Sequence, residues 1–200
     1  MDKPHSIACE RNRDPILEVL RKRLHARQHV LEVGSGTGQH AVHFARHLDH
    51  LTWQSSDRAE MLPGIRLWLT EASLPNTPEP LALDVNQPWP ALGVDAVFTA
   101  NTLHIMSWDE VMLLFAHLPA ITAPTASLVI YGPFKYGGRH TSDSNAAFEA
   151  SLQAYAPHRA IRDFEAVDAL ARTAGFTLTH DHAMPANNRC LVWERSSPPL

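Results

Sequence analysis

Cysteine is nearly absent from this sequence. Cys9 and Cys190 are its only two thiols in 200 residues. They are too far apart for a metal-binding C-x-x-C pair and too few for a disulfide scaffold. Long apolar runs are missing too: nothing approaches the ~20 residues of a membrane span. The opening Met1-Asp2-Lys3-Pro4-His5-Ser6 has no apolar segment of the signal-peptide kind. Nor does either charge dominate, with 17 Lys and Arg against 21 Asp and Glu and a formal net charge of −4. A large nucleic-acid footprint needs clustered cations against phosphates. The one basic cluster, Arg21-Lys22-Arg23 with Arg27, reads as the solvated side of an amphipathic helix. The expectation is a cytoplasmic chain with no membrane and no nucleic-acid partner; its oligomeric state is left open.

Hydrophobic residues at 44% and charged residues at 19% are ordinary globular usage and exclude disorder. The length predicts one domain over 1–200, with 1–28 as an N-terminal lid segment and helix. A helix is expected over 14–26, with Asp14 as N-cap and Pro15 at its first position. His29-Val30-Leu31-Glu32-Val33 reads as a buried strand, and 38–48 as a helix. Strands 51–55, 81–83, 95–100 and 127–131 alternate with helices over 64–73 and from Ser107, where Ser107 and Glu110 form a capping-box pattern. Gly132-Pro133 stops the fifth strand, and 134–141 reads as a glycine- and aromatic-rich loop. Helices over 144–155 and 164–174 precede two closing strands, 176–182 and 189–195. The tail 196–200 is expected to fray.

Strands that alternate with helices build a parallel sheet covered on both faces. Two closing strands with no helix between them add one antiparallel strand near the C-terminus. The predicted fold class is therefore α/β: a three-layer, doubly wound, mostly parallel seven-stranded sheet of Rossmann-like type. Its ligands bind at the carboxyl ends of the strands.

Gly34-Ser35-Gly36-Thr37-Gly38 follows the first strand directly and leads into a helix. The dinucleotide fingerprint G-x-G-x-x-G places its third glycine one position later than this G-x-G-x-G does. Glu32 lies just upstream, Asp57 ends the second strand, and Asp84 followed by Val85 ends the third. A pyrophosphate would be ill served by these acids; a cationic nucleoside suits them. Asp57 can accept from both ribose hydroxyls, and Asp84 from an adenine amino group. Asn101, closing the fourth strand, is expected to line the same crevice.

The glycine motif resembles motif I of the class I S-adenosylmethionine-dependent methyltransferases. The likeness extends through 6–17, 98–108, 130–134, 141–145, 161–165 and Met184-Pro185-Ala186-Asn187-Asn188. Over these stretches the chain is similar to the methyltransferase-like 26 group, also described as domain of unknown function 938. It departs from that pattern at Arg159-Ala160, where Trp-Gly is expected. The resemblance implies the seven-stranded methyltransferase fold, S-adenosylmethionine as cofactor and S-adenosylhomocysteine as product.

The expected cofactor residues are Glu32, Gly34, Ser35, Gly36, Thr37, Gly38, Asp57, Asp84, Val85 and Asn101. For chemistry, His104 just past the fourth strand is the candidate general base, its ordinary pKa of ~6.5 suiting proton removal near neutrality. The alternative is a loop histidine that orients Asn101. Arg11, Asn12, Tyr131, Lys135 and Asn187 are the candidate substrate residues. Tyr136, Arg139 and Asp143 stand beside them, with Gly137-Gly138 as a possible hinge of a lid. His40, His43, His47 and His50 share one helix side and read as a solvated face, so no metal is expected. The acceptor is expected to be a small molecule. A nicotinamide-dependent oxidoreductase and a non-catalytic S-adenosylmethionine-binding protein are the alternatives.

Overall fold

The computed structural model describes residues 3–196; the fraying expected of the tail falls largely on 197–200, outside the described residues. The chain runs α1 (Ile7–Arg23), β1 (His29–Val33), α2 (Gln39–His47), β2 (Thr52–Asp57), α3 (Leu62–Ala72), β3 (Leu81–Ala82), β4 (Val94–Ala100), α4 (Trp108–Ile121) and β5 (Thr122–Gly132). It continues with β6 (Phe134–Tyr136), β7 (Arg139–His140), α5 (Asp143–Tyr155), β8 (Arg162–Asp163), α6 (Phe164–Thr173), β9 (Thr177–Met184) and β10 (Asn188–Arg195).

One sheet has the order β3-β2-β1-β4-β5-β10-β9. The first five of these strands pair in parallel, and β10 runs antiparallel to both neighbours, β5 and β9. This is the doubly wound sheet with one reversed strand. The chain order turns back on itself at β1 and β4, and there the carboxyl ends of the strands open a crevice.

Strand alternation sends successive side chains to opposite faces. Val30, Phe98, Val129 and Val192 pack under α1, α2 and α3 with Ile16, Leu20, Phe44 and Ile65. Leu31, Val97, Leu128, Ile130 and Trp193 face the other way, against Val111, Leu114, Phe115 and Val167 of α4 and α6. Each fully buried Leu, Ile or Phe contributes about 1.5–3 kcal/mol. Because both faces are covered, the central strands read as apolar runs rather than alternating ones.

Three local expectations are corrected. α1 starts at Ile7 with Ser6 as N-cap, its side chain accepting from the Cys9 N–H, so Pro15 lies inside the helix. Asp14-Pro15 mimics a helix start, yet the apolar side of α1 carries through it into Ile16, Leu17 and Leu20. The segment 134–141 is a hairpin, not a free loop: β6 pairs with β7 and, in parallel, with β8. Its Gly137 and Gly138 N–H groups donate to the carboxylates of Glu165 and Asp163, which fixes the supposed hinge. Finally, the histidines of α2 do not share a solvated face. His47 is exposed, but His40 is buried with its ring stacked on Phe44, because α1 lies across that side of α2.

Candidate functional site

The turn after β1 is built from three left-handed glycines, with φ of 73° at Gly34, 57° at Gly36 and 89° at Gly38. The Gly34 and Ser35 N–H groups donate to the Ser56 carbonyl at 3.0 and 2.9 Å, tying the turn to the end of β2. A Cβ on Gly34 would stand 2.7 Å from Thr102 Oγ1, and one on Gly38 3.1 Å from the Ile65 Cα. Those two glycines are needed for packing. Gly36 differs: no heavy atom lies within 4 Å of where its Cβ would be. Its N–H donates to Asp57 Oδ2 at 2.7 Å.

Above the turn lies a cavity of about 970 Å³ at the carboxyl ends of the parallel strands. Gly34, Ser35, Gly36, Thr37, Asp57, Asp84, Val85 and Asn101 all line it. Burial raises the pKa of Asp57, while the Gly36 and Arg58 amides pull the other way. Asp84 is held below the usual carboxylate range by the Asn86 backbone and side-chain donors, 2.8 and 3.0 Å from its Oδ1. Asn101 sits at φ 58° and donates its N–H to the Tyr131 carbonyl at 2.9 Å. Asn tolerates this conformation better than most residues.

Glu32 and Gly38 sit outside the lining. Glu32 is 2% exposed and lies beneath the turn. The Ser35 hydroxyl donates to it at 2.8 Å and the Trp53 indole N–H at 3.1 Å. Burial pushes its pKa up to about 7. It braces the floor of the turn from within the core. Gly38 supplies the left-handed N-cap of α2.

His104 is buried too, edge-on to the Phe148 ring at 5.4 Å and outside the cavity lining. Desolvation first, then the charges of Arg162 and Arg159, lower its pKa to about 4. The imidazole is therefore neutral at pH 7 and a weak base. The five candidate substrate residues also lie off the lining. Arg11 is exposed. Asn12 is buried with its Oδ1 2.7 Å from His40 Nε2. Tyr131 is buried, which pushes its hydroxyl up to about 12. Lys135 pairs with Glu149 at 3.2 Å. Asn187 turns the final hairpin at φ 58°, its carbonyl accepting from Asn145 Nδ2.

Several lining residues were not among the expected site residues. Ser6, Ala8 and Cys9 reach the cavity because the start of α1 folds over the turn, where the Ser6 N–H donates to Gln39 Oε1 at 2.5 Å. His40, Thr102, Met106, Asp109, Glu110 and Arg159 complete much of the wall. Proximity to the Asn101 strand end could have pointed to Thr102 and Met106. Arg159, some sixty residues further along, is marked in the sequence only as a departure from the family pattern, which does not place it at the crevice. Among the described residues, no group of three or more His, Cys, Asp or Glu could hold a metal ion. No helix among them is long and apolar enough to cross a membrane.

Comparison with solved structures defines the class of fold. The S-adenosylmethionine-dependent methyltransferase SibL superposes with a TM-score of 0.80 at 23% identity, over 94% of this chain and 55% of that one. An O-methyltransferase family protein from Burkholderia thailandensis gives 0.80 at 19%, over 96% and 58%. A SAM-dependent methyltransferase from Aquifex aeolicus gives 0.66 at 17%, over 90% and 89%. The chain thus spans little more than half the length of the first two and most of the third. The architecture is the class I methyltransferase fold. Within it, the family model described as a protein of unknown function, DUF938, matches residues 3–195, and the chain belongs to that family.

Proposed function

We propose that this chain binds S-adenosylmethionine in the crevice above β1 and β2 and transfers its methyl group to a small-molecule acceptor. The observation that carries the proposal is the open glycine turn beside a cavity-lining carboxylate. Gly36 leaves space for a ligand, and Asp57 stands next to it at the end of β2. Both are features of the G-x-G-x-G spacing and of the strand end where a ribose diol is read. The four lining carboxylates, Asp57, Asp84, Asp109 and Glu110, suit a cationic ligand and oppose a pyrophosphate. That is the main argument against a nicotinamide dinucleotide.

S-adenosylmethionine, when bound, supplies a methyl carbon already activated by its sulfonium. The chain's own contribution is then to bind, align and exclude water. Alignment alone is worth up to about 7–11 kcal/mol in favourable cases. Asp57 accepts from the sugar hydroxyls, and Asp84 and Val85 take the base. Asn101 and the turn amides flank the remaining part of the cofactor. The volume of about 970 Å³ leaves room for an acceptor beside a nucleoside. His104, held neutral and off the wall, is not required as a base. The solved relatives support the proposal by their fold, and the Burkholderia thailandensis protein among them is named as an O-methyltransferase family member. The acceptor is a metabolite in the cytoplasm rather than nucleic acid or membrane, in keeping with the balanced charge.

A thermal-shift titration tests the cofactor. S-adenosylmethionine and S-adenosylhomocysteine should raise the melting temperature, and NAD and NADP should not. The reverse pattern would replace this proposal with the oxidoreductase. Transfer of a labelled methyl group to components of a metabolite extract separates an enzyme from a protein that only holds the cofactor.

A further inference from the structure

The cavity wall contains one arginine whose charge is unmatched, and this bears on the acceptor. Two arginines line the cavity, Arg58 and Arg159. Arg58 pairs with Glu60, Nε to Oε1 at 3.1 Å. Arg159 is within ion-pair distance of no carboxylate among the described residues. Its Nε is shielded from solvent and has no hydrogen-bond partner.

Arg159 is also held in place. Its backbone N–H donates to the Ala156 carbonyl at 3.0 Å, and its guanidinium lies over the Tyr155 ring at 4.2 Å. Three residues on, Arg162 donates to the carbonyls of Leu103, Met106 and His158. That fork clamps the 158–162 segment against the turn that follows β4. Arg159, Ile105 and Met106 line the same cavity, and Ile105 remains 36% exposed. Three of the four lining acids already accept hydrogen bonds from the chain: Asp57 from Gly36, Asp84 from Asn86 and Glu110 from Ser107.

We infer that Arg159 is a specificity-determining residue that anchors a carboxylate on the methyl acceptor, whose body is apolar and packs on Ile105 and Met106. A guanidinium fork matches a carboxylate in shape and charge. A doubly charged phosphate fits worse, because its second charge would meet the four carboxylates that line the same cavity with no further unpaired arginine to offset it. This inference rests on the proposed cofactor assignment and extends it to the substrate class.

The test is isothermal titration of protein saturated with S-adenosylhomocysteine, using matched acids and amides: benzoate with benzamide, and phenylacetate with phenylacetamide. At least one acid should bind at least roughly tenfold more tightly than its amide, the effect expected of a charge-assisted hydrogen bond. Arg159→Gln should erase that preference and leave amide and S-adenosylhomocysteine affinities within about twofold, which also shows that the variant folds. Acids and amides that bind alike, acids that all fail to bind, or Arg159→Gln weakening S-adenosylhomocysteine instead would each overturn the inference. Failure of the unsubstituted protein to bind S-adenosylhomocysteine would sink the cofactor assignment, and this inference with it.

Discussion

Gly34 and Asn101 both hold left-handed backbone at the mouth of the crevice, for different reasons. Gly34 combines φ 73° with a neighbour, Thr102 Oγ1, 2.7 Å from where a Cβ would stand. Asn101 has a side chain that tolerates φ 58° and a backbone N–H committed to Tyr131. Gly34→Ala should therefore cost about 1–3 kcal/mol in urea unfolding, and Asn101→Gly should stay within about 1 kcal/mol of the parent. Equal losses would refute the distinction. The proposed cofactor site puts Asp57 under the most direct test. Asp57→Ala should remove most of the melting-temperature rise given by S-adenosylhomocysteine; an unchanged rise contradicts its sugar-binding role. Of the site, the glycine turn and the two strand-end acids were legible in the sequence because a tight turn and a strand end leave local marks. Arg159 was not, because its place depends on Arg162 reaching carbonyls more than fifty residues away.

The helix that best shows its signals is α4. Ser107 accepts from the Glu110 N–H at 3.2 Å, and the Glu110 carboxylate accepts from the Ser107 N–H at 2.7 Å. Ser107→Ala should destabilise the protein by about 1 kcal/mol, read as a lower urea midpoint with an unchanged slope. Both cap residues also line the cavity, so the same change should loosen that wall. In α1 the local signal misleads. Asp14 and Pro15 look like a helix start, but the helix begins at Ile7, capped by Ser6, and passes through the proline. Tertiary contacts hold it there: Trp68 Nε1 donates to the Pro4 carbonyl at 2.7 Å, and Lys3 pairs with Glu71. Packing has overridden propensity, as it can when the start of a helix is tied to a neighbouring element.

Across the whole molecule, burial sets the response to acid. His40, His43 and His104 are each lowered from 6.5 to about 4, with desolvation the largest cause. The unfolded chain therefore binds their protons first, and stability is lost as pH falls from about 6.5 towards 4. Glu32 acts the other way. Raised from 4.5 to about 7, its contribution is complete below pH 4.5 and is lost as pH rises through that window. Three groups outweigh one, so acidification from pH 6.5 to 4.5 should lower the urea midpoint. Glu32→Gln should steepen the fall by removing the opposing group; a midpoint that is flat or rises towards acid contradicts this balance. None of these shifts is visible in the sequence, where His40 looks like part of a wet helix face. The sequence alone determined the order of the seven strands of the main sheet and the helices between them, the reversed strand and the glycine turn, because each follows from periodicity, caps and backbone freedom over a few neighbouring residues. Tertiary structure alone decided which histidines are dry, which acid lies under the turn and which arginine faces the cavity, because burial and charge pairing depend on residues that only folding brings together.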